Sequence, residues 1–219
     1  MGSAIKNIKV MNMCEIKEMT LGDFNCQVFF PKGFNEKEKY PVIFHLHGAG
    51  SRGNDVSVLN NQAILIKAKS TEDFPFVIIM PQCREDCWID AYERLKDAVE
   101  IAANLPFADK NRFYLSGVSM GGYASWQLLM SKPDRFTAAI ICCGGGMVWN
   151  AARIKTPVWA FHGTADMTVH IEENERLVNA IKRNGVTAKF TAYQGVEHNS
   201  WDLTYSRDDV YEWLLGFSF

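Results

Sequence analysis

The most chemically suggestive stretch of the sequence places Ser119 between two glycines, in Gly-Val-Ser-Met-Gly at residues 117–121. A β-like apolar run, residues 111–117, precedes the serine, and a helix-like apolar run, residues 122–132, follows it. This setting fits the Gly-x-Ser-x-Gly turn, which exposes a serine hydroxyl between a strand and a helix. The glycines allow neighbouring elements to approach a serine whose backbone is strained. We therefore predict that Ser119 is a catalytic nucleophile.

A serine hydroxyl becomes a good nucleophile only beside a general base that a carboxylate orients. Three histidines follow Ser119 in the chain, namely His162, His170 and His198. His198 follows the last predicted strand, in a loop at the carboxyl end of the sheet, where such sheets place their ligands. We predict His198 as the base. His162 is expected to brace its loop, and His170 to face solvent or to make a local hydrogen bond.

The predicted acid is Asp166, because it lies just beyond the strand predicted at residues 157–163. That position puts it at the same edge of the sheet as Ser119 and His198. The other candidate acids suit turns, helix starts or positions too close to His198 in sequence; they are Asp134, Asp202, Asp208 and Asp209.

Attack on an ester carbonyl creates an oxyanion that needs two preset N–H donors. The N–H of Met120, directly after the serine, is one predicted donor. The second is expected from the glycine-rich segment at residues 45–53, with Ala49 preferred and Gly50 as the alternative. The simpler interpretation is that this segment shapes a tight turn. The two interpretations are compatible, because such a turn also lets the backbone approach a ligand.

Gly50, Trp88 and Trp149 are candidates for the substrate pocket, because each lies in a loop expected near the nucleophile. For the two tryptophans, a core or surface position is the alternative. Arg52 and Asp55 are expected to form a local ion pair that holds their loop, with orientation of a polar substrate as the alternative.

These residues require a scaffold of strands that alternate with helices. Apolar runs predict strands at 25–30, 41–48, 74–81, 111–117, 136–143, 157–163 and 188–195. Amphipathic patterns predict helices at 56–70, 91–105, 122–132, 171–185 and 207–217. The expected fold is a single α/β domain over residues 1–219, with a mostly parallel sheet of about eight strands flanked by helices. The connection between residues 143 and 157 is too short for a separate lid domain.

Composition favours a soluble, cytoplasmic protein. The 219 residues are 47 % hydrophobic and 22 % charged with a net charge of −2, and no basic patch indicates nucleic-acid or membrane binding. Residues 1–19 lack the apolar core of a signal peptide. The six cysteines are expected as free thiols, although Cys83 and Cys87 could pair in oxidising conditions; their spacing does not fit a zinc site, and no metal is expected. The sequence does not indicate the oligomeric state.

Five segments together resemble the α/β-hydrolases: HLHGAGSRGND, PQC…CW, YLSGVSMGGYASW, FHGTADMTV and EHNSW. The sequence is most similar to small lidless serine esterases, namely the phospholipase/carboxylesterase group, feruloyl-esterase-like proteins and the related "predicted peptidases". The resemblance covers roughly residues 25–217. It implies Ser119, Asp166 and His198 as a catalytic triad, and Ala49 and Met120 as oxyanion donors.

Three related groups differ from this sequence. Dienelactone hydrolases are similar but use cysteine where this chain has Ser119. Prolyl-oligopeptidase-type peptidases contain a segment similar to HGTAD, but they also carry a β-propeller for which this chain has no room. Acyl-protein thioesterases usually have glutamine in place of Met120.

The sequence therefore predicts a serine carboxylic-ester hydrolase that needs no cofactor. The resemblance, together with the expected absence of a lid, implies a small-molecule ester as partner, such as an acetylated or feruloylated carbohydrate. The alternatives are an acyl-thioesterase or lysophospholipase, and a catalytically silent hydrolase scaffold that binds a partner.

Overall fold

A computed structural model describes residues 13–219. Most of the segment predicted to lack a signal-peptide core, residues 1–19, lies outside the described residues. The strands form one eight-stranded sheet in the order β1-β2-β4-β3-β5-β6-β7-β8. β1 pairs antiparallel with β2 and β2 with β4, and all other pairs are parallel. The predicted mostly parallel α/β fold is confirmed. The strands are β1 Glu15–Leu21, β2 Phe24–Phe30, β3 Tyr40–Leu46, β4 Val77–Pro81, β5 Ala108–Val118, β6 Ala139–Cys142, β7 Val158–Gly163 and β8 Ala188–Tyr193.

Helices cover both faces of the sheet. One hydrophobic cluster packs α2, α3 and α4 against one face, and a second cluster packs α1, α5 and α6 against the other. In β3, Val42 and Phe44 belong to the first cluster and Ile43 to the second, which explains why this strand is apolar on both faces. The helices are α1 Ala63–Ser70, α2 Tyr92–Ala103, α3 Met120–Ser131, α4 Ile171–Arg183, α5 Ser200–Ser206 and α6 Asp208–Leu215.

Three local features differ from the predicted elements. β1 was not predicted, because it is an edge strand whose charged residues interrupt the apolar pattern. The short helix α5 was also missed. The helix predicted over 56–70 is divided into a 3₁₀ segment, Val56–Asn61, and α1, with the extended residue Gln62 between them.

The connection from β6 to β7 contains only the 3₁₀ segment Val148–Arg153, so the described residues include no separate lid domain. All six cysteines are free thiols, Cys83 and Cys87 included. Among residues 13–219, no helix has both the length and the apolar character required to cross a membrane.

Candidate active site

Ser119 lies at the sharp turn between β5 and α3. Its backbone has a positive φ of 52° with ψ of −119°, a conformation that non-glycine residues rarely adopt. Two backbone hydrogen bonds hold it there: the Ser119 N–H donates to the Cys142 carbonyl at 3.0 Å, and the Tyr123 N–H donates to the Ser119 carbonyl at 3.1 Å. The strain is therefore maintained by β6 on one side and by the first turn of α3 on the other.

The glycines of the motif allow this turn to form between tightly packed elements. A Cβ atom at Gly117 would collide with the Ser125 side chain and the Gly121 backbone, and one at Gly121 would collide with the Leu46 carbonyl. β3, β5 and α3 therefore approach closely at the serine only because these side chains are absent.

The structure brings the predicted base and acid to this serine. The Ser119 Oγ lies 2.8 Å from His198 Nε2, and His198 Nδ1 lies 2.8 Å from the Asp166 Oδ2. Asp166 accepts only, so Nδ1 carries the proton and the unprotonated Nε2 accepts from the serine hydroxyl. Residues far apart in sequence thus form one hydrogen-bonded chain. The other candidates lie elsewhere: Asp134 pairs with Lys155 on the surface, and His170 is exposed.

Asp166 is buried and held on both of its oxygens. Its Oδ1 accepts from the N–H groups of Thr168 and Val169, each at 2.9 Å, while Oδ2 faces His198. Burial raises the pKa of Asp166, but the hydrogen bonds from His198, Val169 and Thr168 outweigh that effect and keep the pKa below its ordinary value. The carboxylate is therefore charged and fixed in orientation.

His162 braces the acid loop, as expected for the histidine at the end of β7. Its fully buried ring donates through Nε2 to the Val169 carbonyl at 2.8 Å, and the same nitrogen lies 3.2 Å from Asp166 Oδ2. Burial, the largest effect, lowers the pKa of His162 despite the Val169 bond. The ring is therefore neutral, and its Nδ1 has no hydrogen-bond partner among the described residues.

Gly163, next in the chain, controls the spacing between the acid loop and the base loop. A Cβ atom there would collide with the carbonyl groups of Val196 and Glu197, directly before His198. The Ala165 N–H also donates to the Val196 carbonyl at 2.9 Å. The two loops are thus in direct backbone contact.

The predicted oxyanion donors lie on either side of the serine. Met120 is the first residue of α3, and Ala49 begins a 3₁₀ turn, Ala49–Ser51. A Cβ atom at the preceding residue, Gly48, would lie in van der Waals contact with the Ser119 side chain, so the turn passes close to the serine. In residues 13–219, neither the Ala49 nor the Met120 N–H donates a hydrogen bond to another protein group. Neither N–H is therefore committed to a protein acceptor, as is usual for the first residue of a helical turn.

The Ala49 turn is fixed from beneath by His47. This buried ring donates through Nδ1 to the Gly48 carbonyl at 2.7 Å and accepts from the Cys83 N–H through Nε2 at 3.0 Å. Arg52 also stabilises the turn, through the carbonyl groups of Ala49 and Asp86 rather than through Asp55, whose carboxylate accepts from the Ser57 N–H. The ion pair expected between Arg52 and Asp55 is therefore replaced by bonds to main-chain carbonyls.

A cavity of about 360 Å³ opens beside the serine hydroxyl. Gly50, a candidate for the substrate pocket, lines it. Ser51, Gln62, Thr168 and Trp201 also line it but were not predicted, because only the fold brings these loops together. The full lining is residues 48–51, Gln62, Val118, Ser119, Thr168, His198 and Trp201.

The two tryptophans predicted for the pocket do not line the cavity. Trp88 is fully buried in the core, where its indole N–H donates to the His47 carbonyl at 3.0 Å and its ring lies against that of His47. Trp149 is 81 % exposed, in the connection between β6 and β7. Trp201, which makes an edge contact with the His198 ring, is the tryptophan that lines the cavity.

Cys143 is a further nucleophilic side chain near the triad. Its Sγ, a carboxylate oxygen of Asp166 and a ring nitrogen of His198 lie within 4.8 Å of one another. Burial raises the pKa of this thiol well above its ordinary value, so it is protonated at neutral pH. A protonated thiol beside an acid and a base that already bond each other is a poor metal ligand.

Comparison with known proteins gives a family match. A model described as "Dienelactone hydrolase family" matches residues 77–205, more than half of the chain. This confirms the predicted resemblance to the α/β-hydrolase superfamily. Dienelactone hydrolases were expected to differ from this chain, because they use cysteine where it has Ser119; the family match shows that this difference does not place the chain outside their family.

Solved structures share this fold, and curated relatives are similar to the chain in sequence. A crystal structure of a thermostable esterase has a TM-score of 0.80 and 30 % identity, covering 93 % of this chain and 63 % of the other. A putative dienelactone hydrolase from Klebsiella pneumoniae has a TM-score of 0.71 and 14 % identity, covering 94 % and 98 %. Probable dipeptidyl-peptidase 5 from Aspergillus terreus is 22 % identical over 87 % of this chain and 33 % of its own length. The chain thus spans about a third of such relatives.

Proposed function

We propose that this chain, which belongs to the dienelactone hydrolase family, is a serine esterase that hydrolyses small acyl esters. The observation that carries the proposal is the hydrogen-bonded chain from Ser119 Oγ through His198 to Asp166, beside an open cavity. This arrangement has the nucleophile, the base and the orienting carboxylate in the geometry that acyl transfer requires.

In the first half of the proposed reaction, Ser119 Oγ attacks the ester carbonyl carbon while its proton passes to His198 Nε2. The carbonyl electron pair moves onto oxygen, and the N–H groups of Ala49 and Met120 stabilise that oxyanion. Asp166 stabilises the imidazolium. His198 then protonates the leaving alcohol oxygen, the carbon–oxygen bond breaks, and an acyl-Ser119 ester remains.

In the second half, water attacks the acyl carbon while His198 Nε2 takes a proton from it. The oxyanion forms again at the same two N–H groups. When it collapses, the bond to Ser119 Oγ breaks, His198 returns a proton to that oxygen, and the carboxylic acid leaves. These steps use only protein groups and water.

The cavity supports a short acyl group over the thioesterase or lysophospholipase alternative. Its volume of about 360 Å³ is near the lower end of small-molecule sites. We expect the rate to fall as the acyl chain lengthens from acetyl through butyryl to octanoyl. A preference for octanoyl or for thioesters would favour the alternative. A feruloyl ester belongs in the same panel, because feruloylated carbohydrate is one of the predicted substrates.

A peptidase is the second candidate, because curated relatives are named dipeptidyl peptidases. An enzyme that removes dipeptides must bind a free, positively charged amino terminus. None of the described residues that line the cavity is an aspartate or glutamate that could pair with such a charge. We therefore expect dipeptidyl-p-nitroanilides to be hydrolysed far more slowly than p-nitrophenyl acetate, and the reverse order would favour the peptidase.

The direct test is Ser119→Ala, with Ser206→Ala as a matched control on an exposed hydroxyl in α5. The first variant should lose p-nitrophenyl acetate hydrolysis and labelling by a fluorophosphonate probe, and the control should retain both. Labelling that survives in Ser119→Ala would remove this serine as the nucleophile. A wild-type protein that neither reacts with the probe nor hydrolyses esters would favour the silent scaffold.

The remaining parts of the proposal are the small-molecule ester as partner and the cytoplasm as location. The free thiols of all six cysteines support a reducing compartment.

A further inference from the structure

A row of polar side chains runs through the apolar layer beneath the cavity and has no part in the proposed reaction. It begins at Tyr205 in α5, continues through Ser116 in β5 and His45 in β3, and reaches Gln62 and Ser51 at the cavity. The first three are almost completely buried, each 1 % or 2 % exposed. Buried polar groups are costly unless they are hydrogen-bonded, so their partners indicate their role.

The hydrogen bonds are continuous along the row. The Tyr205 hydroxyl lies 2.6 Å from Ser116 Oγ, which lies 3.2 Å from His45 Nδ1. His45 Nε2 lies 3.5 Å from Gln62 Oε1, the longest link, and Gln62 Nε2 lies 2.9 Å from Ser51 Oγ.

The hydrogen bonds of the row point in one direction. Burial lowers the pKa of His45 to about 3, so the ring is neutral. The Gln62 carbonyl can only accept, so His45 donates through Nε2 and accepts through Nδ1. Ser116 must then donate to His45, and Tyr205 must donate to Ser116. Each hydrogen thus points towards the cavity.

The row ends with a free donor at Ser51. The Gln62 amide donates to Ser51 Oγ, so the hydroxyl hydrogen of Ser51 is left over, and it has no acceptor within residues 13–219. The backbone of Ser51 is fixed as well, because its N–H donates to the Gly48 carbonyl at 3.2 Å and its carbonyl accepts from Gln82 at 3.0 Å. Ser51 therefore presents a hydroxyl donor to the cavity from a fixed position, two residues from Ala49.

We propose that Ser51 is a specificity-determining residue whose hydroxyl donates a hydrogen bond to an oxygen of the substrate close to the scissile ester. The inference rests on the proposed esterase function. The expected substrates are esters with a hydroxyl, ether or carbonyl oxygen near the reacting carbonyl, as in hydroxy-acid esters and acylated polyols. A plain alkanoyl ester leaves this donor unpaired in the occupied site, which costs binding energy.

The test compares pairs of esters that differ by one oxygen in place of one methylene. On the acyl side the pair is p-nitrophenyl methoxyacetate and p-nitrophenyl butyrate. On the alcohol side it is 2-methoxyethyl butyrate and butyl butyrate. Because the ether oxygen also changes intrinsic reactivity, the measured quantity is the kcat/KM ratio within a pair, compared between wild type and variant.

We expect Ser51→Ala to lower this ratio about three- to tenfold in one of the two pairs, which identifies the side that carries the oxygen. Ser51→Thr keeps the hydroxyl and should keep the ratio. Gln62→Leu removes the group that orients Ser51 and should lower the ratio by a smaller factor. Ser206→Ala should leave both ratios and both rates unchanged.

A ratio unaffected by Ser51→Ala and Gln62→Leu in both pairs would overturn the inference and leave the esterase proposal intact. Failure of the wild type to hydrolyse any of the four esters would overturn both. If Ser51→Ala does not fold, as judged by circular dichroism, the Gln62→Leu ratio decides.

Discussion

His47 and His198 lie in neighbouring loops at the same edge of the sheet, yet their surroundings differ in kind. His47 is buried, and both of its nitrogens bond backbone groups, the Gly48 carbonyl and the Cys83 N–H. The His198 side chain is 23 % exposed, and its nitrogens bond the Ser119 hydroxyl and the Asp166 carboxylate. One ring is bonded to groups that cannot exchange a proton with it, and the other to groups that can.

This contrast shows why a histidine in a suggestive motif is not necessarily a catalytic one. Burial lowers the pKa of His47 to about 4, so protonation at neutral pH is strongly disfavoured. For His198, the carboxylate of Asp166 is available to stabilise an imidazolium when it forms. His47 thus holds the turn that carries Ala49, whereas His198 is suited to carry the proton.

The largest expected effect in this comparison is that of His198→Ala on catalysis. Without the base, kcat for p-nitrophenyl acetate should fall at least about 10⁴-fold. The free energy of unfolding should change by less than about 1 kcal/mol, because the N–H groups of Thr168 and Val169 still bond Asp166. Steady-state kinetics and urea denaturation test the two parts. A fall in kcat of only tenfold would contradict the assignment of the base.

His47→Ala should show the opposite pattern. It removes a packed ring and leaves the Cys83 N–H without its acceptor, so unfolding should become easier by about 2–4 kcal/mol. The loss in kcat should be much smaller than for His198→Ala. His170→Ala, at an exposed position, is the control and should have little effect on either quantity. Unchanged stability in His47→Ala would show that the ring does not hold the turn.

Acid should destabilise the protein through the buried histidines. The pKa of His45 is lowered from 6.5 to about 3, and that of His47 from 6.5 to about 4. The unfolded chain therefore binds more protons, so stability is full above about pH 6.5 and falls as the pH drops below it. At pH 5 each histidine should account for a loss of roughly 2 kcal/mol relative to neutral pH.

Urea denaturation at pH 7 and pH 5 measures this loss, and His47→Ala should show a smaller one than wild type. Equal stability at the two pH values would contradict the neutral, buried state of both rings.

The smallest expected effect is that of Trp149→Ala. Its side chain is 81 % exposed and does not line the cavity, so kcat/KM should stay within about twofold of wild type. Trp201→Ala is the matched comparison, because Trp201 lines the cavity and contacts the His198 ring. Its kcat/KM should fall about tenfold. Equal losses in the two variants would return Trp149 to the substrate pocket.

The architecture could be predicted because apolar strands alternate regularly with amphipathic helices. β1 was not predicted, because it is an edge strand whose apolar pattern is interrupted by the charged residues Glu15, Lys17 and Glu18. The residues for the triad could be proposed because the Gly-x-Ser-x-Gly turn and the strand ends are local signals. That their side chains meet, however, depends on long-range contacts.

The pocket was harder to predict for the same reason. Trp88 follows a strand end, as a pocket residue would. Its indole N–H, however, donates to the His47 carbonyl, 41 residues away in sequence, and its ring is buried in the core. Ser51 and Gln62 carry no distinguishing local pattern. Only the packing of β3, β5 and α5 shows that a buried row of hydrogen bonds ends at them.

Because Gly163 has no side chain, the loop that carries Asp166 and the loop that carries His198 can approach each other closely. The backbone before His198 packs against the strand end that leads to Asp166, and the two loops meet through main-chain atoms rather than through side chains. Loop grafts or insertions that aim to alter substrate choice should therefore spare residues 163–166 and 196–198.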